Sequence, residues 1–303
     1  MYSKILVPLD GSELAQLAIP FAGKIAGRLG SRIMFIYVSE SIEDSHNPEH
    51  QLYLQKMTKV AKADIKQYTD KLKRKRIKIE SAILVGDPAS EIVDYAQKED
   101  FGLMVMSTHG HSGIKRWALG SVADRVLRGT EKPLVLVRAK QVSPDTIAES
   151  IFGKIIVTLD GSRESEAVIP YIEELASGVE AKIVLLHVIE PSYRFSTAGG
   201  FKYQGYSEKK KKSMKSFYDN YLEGIATSLG RRGIDARFQV KFGEVAEVII
   251  KFADETGADF IAMTTHGRSG IKRWALGSTA DKVLQSGNTS LFLVKTPTIK
   301  TSS

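Results

Sequence analysis

Cysteine is absent from the 303-residue chain, so disulfide bonds, thiolate metal sites and cysteine nucleophiles are all excluded. Long apolar runs are also missing, and none approaches the roughly 20 residues that a membrane-spanning helix needs. The sequence opens on a charged strand pattern, without the apolar region and cleavage site of a signal peptide. These absences lead us to expect a cytoplasmic location and no contact with a membrane.

Several catalytic motifs are missing as well. The chain has no Gly-x4-Gly-Lys-Ser/Thr loop, which would mark a P-loop nucleotide hydrolase, and no Gly-x-Ser-x-Gly nucleophile elbow. His46 and His50 have a spacing that can suit zinc, but Pro48 lies between them and breaks a helix. We therefore expect no catalytic residue and no protein-bound metal site.

Acidic residues are outnumbered by basic ones, which gives a formal net charge of +8 and favours anionic partners. The lysine-rich stretches 71–78 and 209–212 are typical of solvated helix faces. The aromatic-interleaved basic motifs of RNA- and DNA-binding modules are missing. We therefore expect no nucleic-acid binding.

What the chain does have is an internal repeat, whose two copies agree best in a glycine-rich loop. The segment 108–121 returns almost letter for letter as 265–278, and only His111 against Arg268 differs. The rest of the two halves agrees mainly in hydrophobic pattern. A purely structural repeat would let a polar, glycine-rich stretch drift while the apolar pattern stayed. The identity of this loop therefore indicates a local function that is carried out once in each half.

The repeat extends over the whole chain, since 4–12 also pairs with 154–162. Each copy spans about 150 residues, an ordinary size for one domain with its own core. A polar stretch around Ser143-Pro144-Asp145 has the composition of a linker. We predict two domains and a linker between them: 1–139, 140–151 and 152–303.

Short apolar segments alternate with helical patterns in each half. Apolar runs of this length are typical of strands that are buried on both faces of a parallel sheet. In the first half the predicted strands are 5–7, 33–38, 77–85, 103–106 and 134–137, and the predicted helices are 14–29, 51–75, 89–98 and 121–128. Ser12 and Asp87-Pro88 are helix-start signals and Gly30 is a stop signal. The alternation predicts an α/β fold of two doubly wound domains, with an expanded segment at 191–212 in the second.

Doubly wound sheets bind ligands beyond the carboxyl ends of their strands, where the strand order reverses. Strand 1 ends in Asp10 or Asp160, and strand 4 leads into the repeated loop, which enters a helix at Gly120-Ser121 or Gly277-Ser278. Backbone N–H groups and a hydroxyl at a helix start form an anion site, and glycine permits positive φ and close approach to a ligand. Each feature alone is more often a turn or a cap. Their combination at neighbouring strand ends, present twice, predicts nucleotide binding.

At this point the residues resemble the universal stress protein family, in its tandem-domain form, along nearly all of the chain. The ATP-binding branch of that family carries Gly-x2-Gly-x9-Gly-Ser/Thr after strand 4. The second and third glycines and the serine of this motif match Gly110, Gly120 and Ser121 in the first half and Gly267, Gly277 and Ser278 in the second. The first glycine is replaced by Ser107 and Thr264, and a side chain there would narrow the site.

The resemblance implies a five-stranded parallel sheet of order 3-2-1-4-5 in each domain, with helices on both faces. It also implies that each domain binds ATP or a related adenine nucleotide, with or without Mg²⁺. The implied nucleotide-binding residues of the first half are Pro8, Leu9, Asp10, Val38, Met106, Ser107, Gly110, Gly113, Gly120, Ser121 and Val122. Those of the second half are Thr158, Leu159, Asp160, Val188, Met263, Thr264, Gly267, Gly270, Gly277, Ser278 and Thr279.

The function implied by the resemblance is nucleotide-dependent regulation of a stress response. Two alternatives stay open. One is a partner-binding scaffold of the same fold, in which Ser107 and Thr264 have abolished nucleotide binding. The other is a slow nucleotide hydrolase. The intact glycine and serine pattern favours regulation over the scaffold, and the lack of an identifiable base or nucleophile limits the chain to at most weak ATP hydrolysis.

Strand 5 is expected at a sheet edge in each half, at 134–138 and 291–295, and bare apolar edges attract partners. Fusion of two copies raises their effective concentration. The resemblance implies that the two strand-5 edges pair about a pseudo-twofold axis. We therefore predict pseudo-dimeric packing of the two halves, while a further homo-oligomer and an unidentified protein partner stay open.

Overall fold

The computed structural model describes residues 1–71, 77–108, 119–138, 153–195, 201–265 and 276–296. The predicted linker 140–151 lies outside these residues. In the first half the strands are β1 (Lys4–Leu9), β2 (Arg32–Ser39), β3 (Ile79–Val85), β4 (Leu103–Ser107) and β5 (Leu134–Val137). The helices are α1 (Glu13–Gln16), α2 (Ala18–Leu29), α3 (Ile42–Ser45), α4 (Pro48–Lys71), α5 (Pro88–Lys98) and α6 (Ser121–Gly129).

Among the described residues the second half repeats this order, with a β-hairpin in the place of α3. Its strands are β6 (Lys154–Thr158), β7 (Lys182–Ile189), β8 (Ser192–Phe195), β9 (Phe201–Gln204), β10 (Ala236–Phe242), β11 (Phe260–Thr264) and β12 (Ser290–Val294). Its helices are α7 (Arg163–Glu166), α8 (Ile169–Val179), α9 (Glu208–Arg231), α10 (Val245–Thr256) and α11 (Ser278–Ser286). The hairpin β8–β9 occupies the expanded segment, where aromatic residues alternate with polar ones, a signal of a hairpin that the sequence reading missed.

Helix ends follow the start and stop signals in the sequence. The Ser12 hydroxyl accepts a hydrogen bond from the Ala15 N–H, and the Asp87 carboxylate accepts one from the Ser90 N–H. Gly30 ends α2 in the left-handed conformation, with φ of 77°. These observations confirm the two predicted N-caps and the predicted C-cap.

The first predicted helix, 14–29, is in fact two helices. Pro20 lies four residues after Gln16, and a proline ring clashes with the carbonyl of the residue four positions before it. The helix therefore stops at Gln16 and restarts at Ala18. The second half shows the same break, since α7 ends at Glu166, four residues before Pro170.

The five main strands of each half have the predicted order, and the two sheets are joined. The order across the sheet is β10-β7-β6-β11-β12-β5-β4-β1-β2-β3, which is 3-2-1-4-5 in each half. All neighbours are parallel except β12 and β5, which pair antiparallel with Phe292 opposite Val135. The two halves therefore share one ten-stranded sheet, and the predicted pairing of strand-5 edges is confirmed within the chain.

The core lies on both faces of this sheet and runs through the junction. Each of two hydrophobic clusters, one on either face, contains residues from both halves. At the junction Tyr2 meets Phe292 edge to face, and Phe21 meets Phe260 in the same way. No described helix is both long enough and apolar enough to cross a membrane.

Candidate functional site

The repeated loop is closed at its neck by the same backbone hydrogen bond in both halves. The Gly120 N–H donates to the Thr108 carbonyl at 2.8 Å, and the Gly277 N–H donates to the Thr265 carbonyl at 2.7 Å. Each bond brings the start of a helix directly to the end of β4 or β11. The loops themselves, with the predicted site residues Gly110, Gly113, Gly267 and Gly270, lie outside the described residues.

Two helices begin at this neck with glycine as the N-cap. Gly120 has φ −61° and ψ 147°, and Gly277 has φ −60° and ψ 146°. These are ordinary extended conformations that any residue can adopt, so of the two properties of glycine only the close approach to a ligand applies at these positions. Neither helix start has a side-chain capping bond among the described residues. The first-turn N–H groups have no acceptor within a helix, so they can donate hydrogen bonds to an anion at the start of the helix.

The aspartates at the ends of the first strands stabilise turns. The Asp10 carboxylate accepts hydrogen bonds from the Ser12 N–H at 3.0 Å and the Ser12 hydroxyl at 2.6 Å. Asp160 accepts the matching bonds from Ser162 at 2.9 and 2.5 Å. Both residues therefore have the turn role that an aspartate after a strand usually has, and both are held at the carboxyl edge of the sheet in the same orientation.

A cavity of about 420 Å³ lies at this edge in the second half. It opens where the strand order reverses, because the first strand β6 lies between β7 and β11. Its wall includes the end of the first strand, the end of β11 and the start of α11. Nine of the eleven second-half residues predicted from the sequence line it: Thr158, Leu159, Asp160, Val188, Met263, Thr264, Gly277, Ser278 and Thr279.

One wall of this cavity is aromatic and was not predicted. His187 is buried and stacks on Tyr218 of α9, with ring centroids 3.6 Å apart. Its Nδ1 lies 2.7 Å from the Leu159 carbonyl, and because a carbonyl only accepts, Nδ1 carries the proton. Tyr206 and Met214 complete this side. Tyr206 lies within the expanded segment and Met214 and Tyr218 follow it, but nothing in the sequence places α9 over the strand ends.

The first half has a matching stack in which the residue types are exchanged. Tyr37, opposite Leu9 in the sheet, stacks on His50 of α4 with centroids 4.1 Å apart. The His50 Nδ1 is buried without a hydrogen-bond partner among the described residues. Asp44 lies on the other side of the ring, 3.8 Å from Nε2. His50 thus belongs to an aromatic stack, and the described residues contain no cluster of metal ligands around it.

Carboxylates surround the first-half site. Burial and then the nearby charges of Asp44, Asp10 and Glu40 raise the pKa of Tyr37. Burial, with a further contribution from Asp10, raises the pKa of Tyr53 to about 12. Both tyrosines therefore stay neutral at physiological pH and can act as hydrogen-bond donors.

The remaining first-half residues predicted from the sequence lie at the same edge as their second-half counterparts. They are at the end of the first strand, in the second and fourth strands and at the start of α6: Pro8, Val38, Met106, Ser107, Ser121 and Val122. Ser107 and Thr264, the substitutes for the first family glycine, are both buried, and Thr264 lines the second-half cavity. The departure from the family motif thus occurs in the wall of that cavity.

These features define a class: a tandem of two doubly wound α/β units with a concave site where the strand order reverses. The sequence pattern of the universal stress protein family matches residues 1–138 and 152–295. The chain belongs to this family, in its tandem form.

Individual relatives agree with this assignment. A universal stress protein of Methanocaldococcus jannaschii is 32% identical over 142 residues, which is 46% of this chain and 83% of the relative. One of Synechocystis is 22% identical over 303 residues and covers 93% of this chain and 96% of its own length. The solved structure of a universal stress protein from Archaeoglobus fulgidus has a TM-score of 0.65 at 20% identity, over 97% of this chain and 99% of that one. This likeness shows the same fold along the whole length.

Proposed function

We propose that the chain is a regulatory stress-response protein and that each half binds ATP or a related adenine nucleotide. The binding site in each half is the carboxyl edge between the first and fourth strands and the helix that follows the repeated loop. We take the two units to be 1–139 and 152–303, joined by a linker at 140–151, in line with the two family matches. The single observation that carries the proposal is the second-half cavity.

The size and lining of that cavity suit a nucleotide. Ligand pockets are commonly about 300–1,000 Å³ with apolar walls and a few polar groups, and this one is about 420 Å³. Val188 and Met263 offer apolar contact to a flat base, next to the His187–Tyr218 stack. Asp160 lies at the same edge, where its carboxylate can accept hydrogen bonds from a ribose.

The part of the cavity wall at the start of α11 suits phosphate. Gly277, Ser278 and Thr279 line it, and α11 begins there without a side-chain cap among the described residues. Helix starts attract anions because their first N–H groups lack acceptors and the helix dipole is positive there. Glycine at the N-cap lets a phosphate approach these groups without meeting a Cβ. Ser121 and Gly120 offer the same arrangement in the first half.

Calorimetric titration of the full chain with ATP, with and without Mg²⁺, tests the proposal. We expect two binding sites per chain. Gly277→Val should weaken the second-half site at least about tenfold, because a branched side chain crowds the phosphate. Ser278→Ala should cost about 1–2 kcal/mol of binding free energy, for one lost hydrogen bond to a charged group.

Gly120→Val and Ser121→Ala are the matched controls, since they should act on the first-half site alone. Circular dichroism confirms that each variant folds. Phosphate release measured on the same samples should be absent or very slow, at most weak hydrolysis. If the full chain gives no heat and no thermal shift with millimolar ATP, the partner-binding scaffold replaces this proposal. Two unchanged sites in Gly277→Val would show that phosphate does not bind at this loop.

A further inference from the structure

The two sites differ in the charges that surround them. The carboxylates at the ends of the first two strands are common to both halves: Asp10 corresponds to Asp160, and Glu40 after β2 corresponds to Glu190 after β7. Asp160 and Glu190 both line the second-half cavity. The segments that follow the second strands, by contrast, differ in charge.

In the first half that segment is acidic. Residues 41–50 contain Glu43, Asp44 and Glu49 and neither lysine nor arginine. Asp44 is held beside the site, because its Oδ2 accepts a hydrogen bond from the Ser39 hydroxyl at 2.7 Å. After burial, the charge of Asp44 is the largest contribution to the raised pKa of Tyr37. A ligand at this edge therefore meets negative charge on the side of the second strand.

In the second half the corresponding segment is basic. Residues 191–212 contain six lysines and arginines against one carboxylate, Glu208. Four of the lysines, 209–212, stand in the first turns of α9, where the positive end of the helix dipole disfavours cations. Of these four lysines, only Lys211 forms an ion pair in the described structure, with Glu208 at 2.7 Å. This concentration of positive charge would be relieved by an anion nearby.

One of these lysines, Lys210, contacts a residue of the cavity wall. The Lys210 ammonium lies 4.9 Å from the ring centroid of Tyr206, and Tyr206 is part of the cavity wall. Tyr218 and Met214, which also line the cavity, come from the following turns of the same helix. The start of α9 therefore lies beside the cavity wall, and at low salt its charges act over a longer range than at physiological salt.

We propose that the two sites select ligands of different charge: the second-half cavity takes a nucleoside triphosphate, and the first-half site takes a nucleotide of lower charge such as a monophosphate. This inference rests on the proposed function and assigns a ligand class to each site. Its physical basis is that each added phosphate charge is attracted by the lysines at the start of α9 and repelled by the carboxylates of 43–49.

The test compares ATP with AMP, which share a base and sugar but differ by about two negative charges at neutral pH. Gly277→Val leaves the first-half site to be measured, and Gly120→Val leaves the second. We expect the ratio of ATP affinity to AMP affinity to be at least about tenfold higher at the second-half site in low salt. The difference should shrink as salt is raised from 0.05 to about 0.5 M.

Lys210→Gln should lower the ATP affinity of the second-half site by about threefold or more and change the AMP affinity less. Arg231→Gln is the matched control, because it removes a cation from the other end of the same helix, about 30 Å away, and should change neither affinity. Equal ATP-to-AMP ratios at two functioning sites would overturn this inference and leave the proposed function standing. No binding of either nucleotide to the unsubstituted chain would overturn both.

Discussion

At the scale of single residues, corresponding positions in the two halves have diverged in ways that change local electrostatics. Asp87 caps α5 and also forms a two-pronged ion pair with Arg125 at 2.6 and 2.8 Å. Glu244, at the corresponding position, begins α10 without a side-chain capping bond in the described structure. The longer side chain of glutamate is a poorer N-cap, so only the first half gains this cap.

The Asp87 ion pair predicts a pH dependence of stability. The hydrogen bonds from Arg125 and Ser90 hold the pKa of the Asp87 carboxyl well below its usual value of 3.8. A lowered pKa contributes stability that is complete above the unfolded-state value and is lost as the pH falls below it. Asp87→Asn keeps a good cap but removes the ion pair. We expect its unfolding midpoint to be lower than that of the unsubstituted chain above pH 5, and the gap to narrow steadily as the pH falls from about 4 to 2.

Asp94→Asn is the control for this measurement, since Asp94 is an exposed carboxylate on the same helix. Its midpoint should differ little from that of the unsubstituted chain at any pH. A gap for Asp87→Asn that stays constant down to pH 2 would contradict the assignment of the ion pair.

At the scale of elements, the turns between strands and helices are the most demanding positions. Gly86 follows β3 with φ of 147°, and Gly243 follows β10 with φ of 144°. Residues with a Cβ rarely adopt this conformation. By contrast Gly224 lies within α9 in a helical conformation, and a Cβ added there would meet nothing within 4 Å. Substitution of Gly86 and substitution of Gly224 should therefore change stability in opposite directions.

Alanine substitution at these glycines makes the contrast measurable by denaturant unfolding. Gly86→Ala should lower the free energy of unfolding by about 1–3 kcal/mol, because the backbone is strained and the new Cβ crowds Glu91. Gly224→Ala should raise it by about 0.5–1 kcal/mol, because alanine loses less conformational freedom in a helix. Equal effects of the two substitutions would show that backbone conformation does not decide their outcome.

At the scale of the whole molecule, the junction between the halves is part of the core. Phe292 is fully buried, lies opposite Val135 across the joined sheets and meets the ring of Tyr2. Arg138, just beyond β5, is also buried, and its guanidinium donates to the Leu284 carbonyl of α11. Burial lowers the pKa of Arg138 to about 10. Apolar and polar contacts thus both tie the first half to the helix at the second-half site.

A substitution that removes a large side chain from the junction should therefore destabilise both halves together. Phe292→Ala is expected to lower the free energy of unfolding by about 3–5 kcal/mol. The chain has two tryptophans, one in each half, so Trp117→Phe and Trp274→Phe backgrounds report each half separately by fluorescence. Both reporters should shift to the same lower denaturant concentration. Phe242→Ala, at an exposed position, is the control and should cost less than about 1 kcal/mol. A shift confined to the second-half reporter would contradict the shared core.

Hydrophobic period and turn chemistry are local properties, and for this reason the sequence by itself determined most of the elements. The strand 134–137 was predicted to the residue, and α5 begins at the Asp87-Pro88 signal. The internal repeat likewise predicts the two helix starts at Gly120-Ser121 and Gly277-Ser278, where α6 and α11 begin. The errors are local conflicts: Pro20 divided a predicted helix, and the β8–β9 hairpin was missed within a segment that lacked long apolar runs.

The contacts between residues far apart in the sequence depend on the tertiary structure. Nothing local places Tyr218 on His187 or His50 on Tyr37, or sets the start of α9 beside the cavity. Strand-5 pairing was expected, but its register and the burial of Arg138 depend on how two complete sheets meet. Periodicity fixes which face of an element is apolar, whereas the partner of that face is chosen by packing over the whole chain.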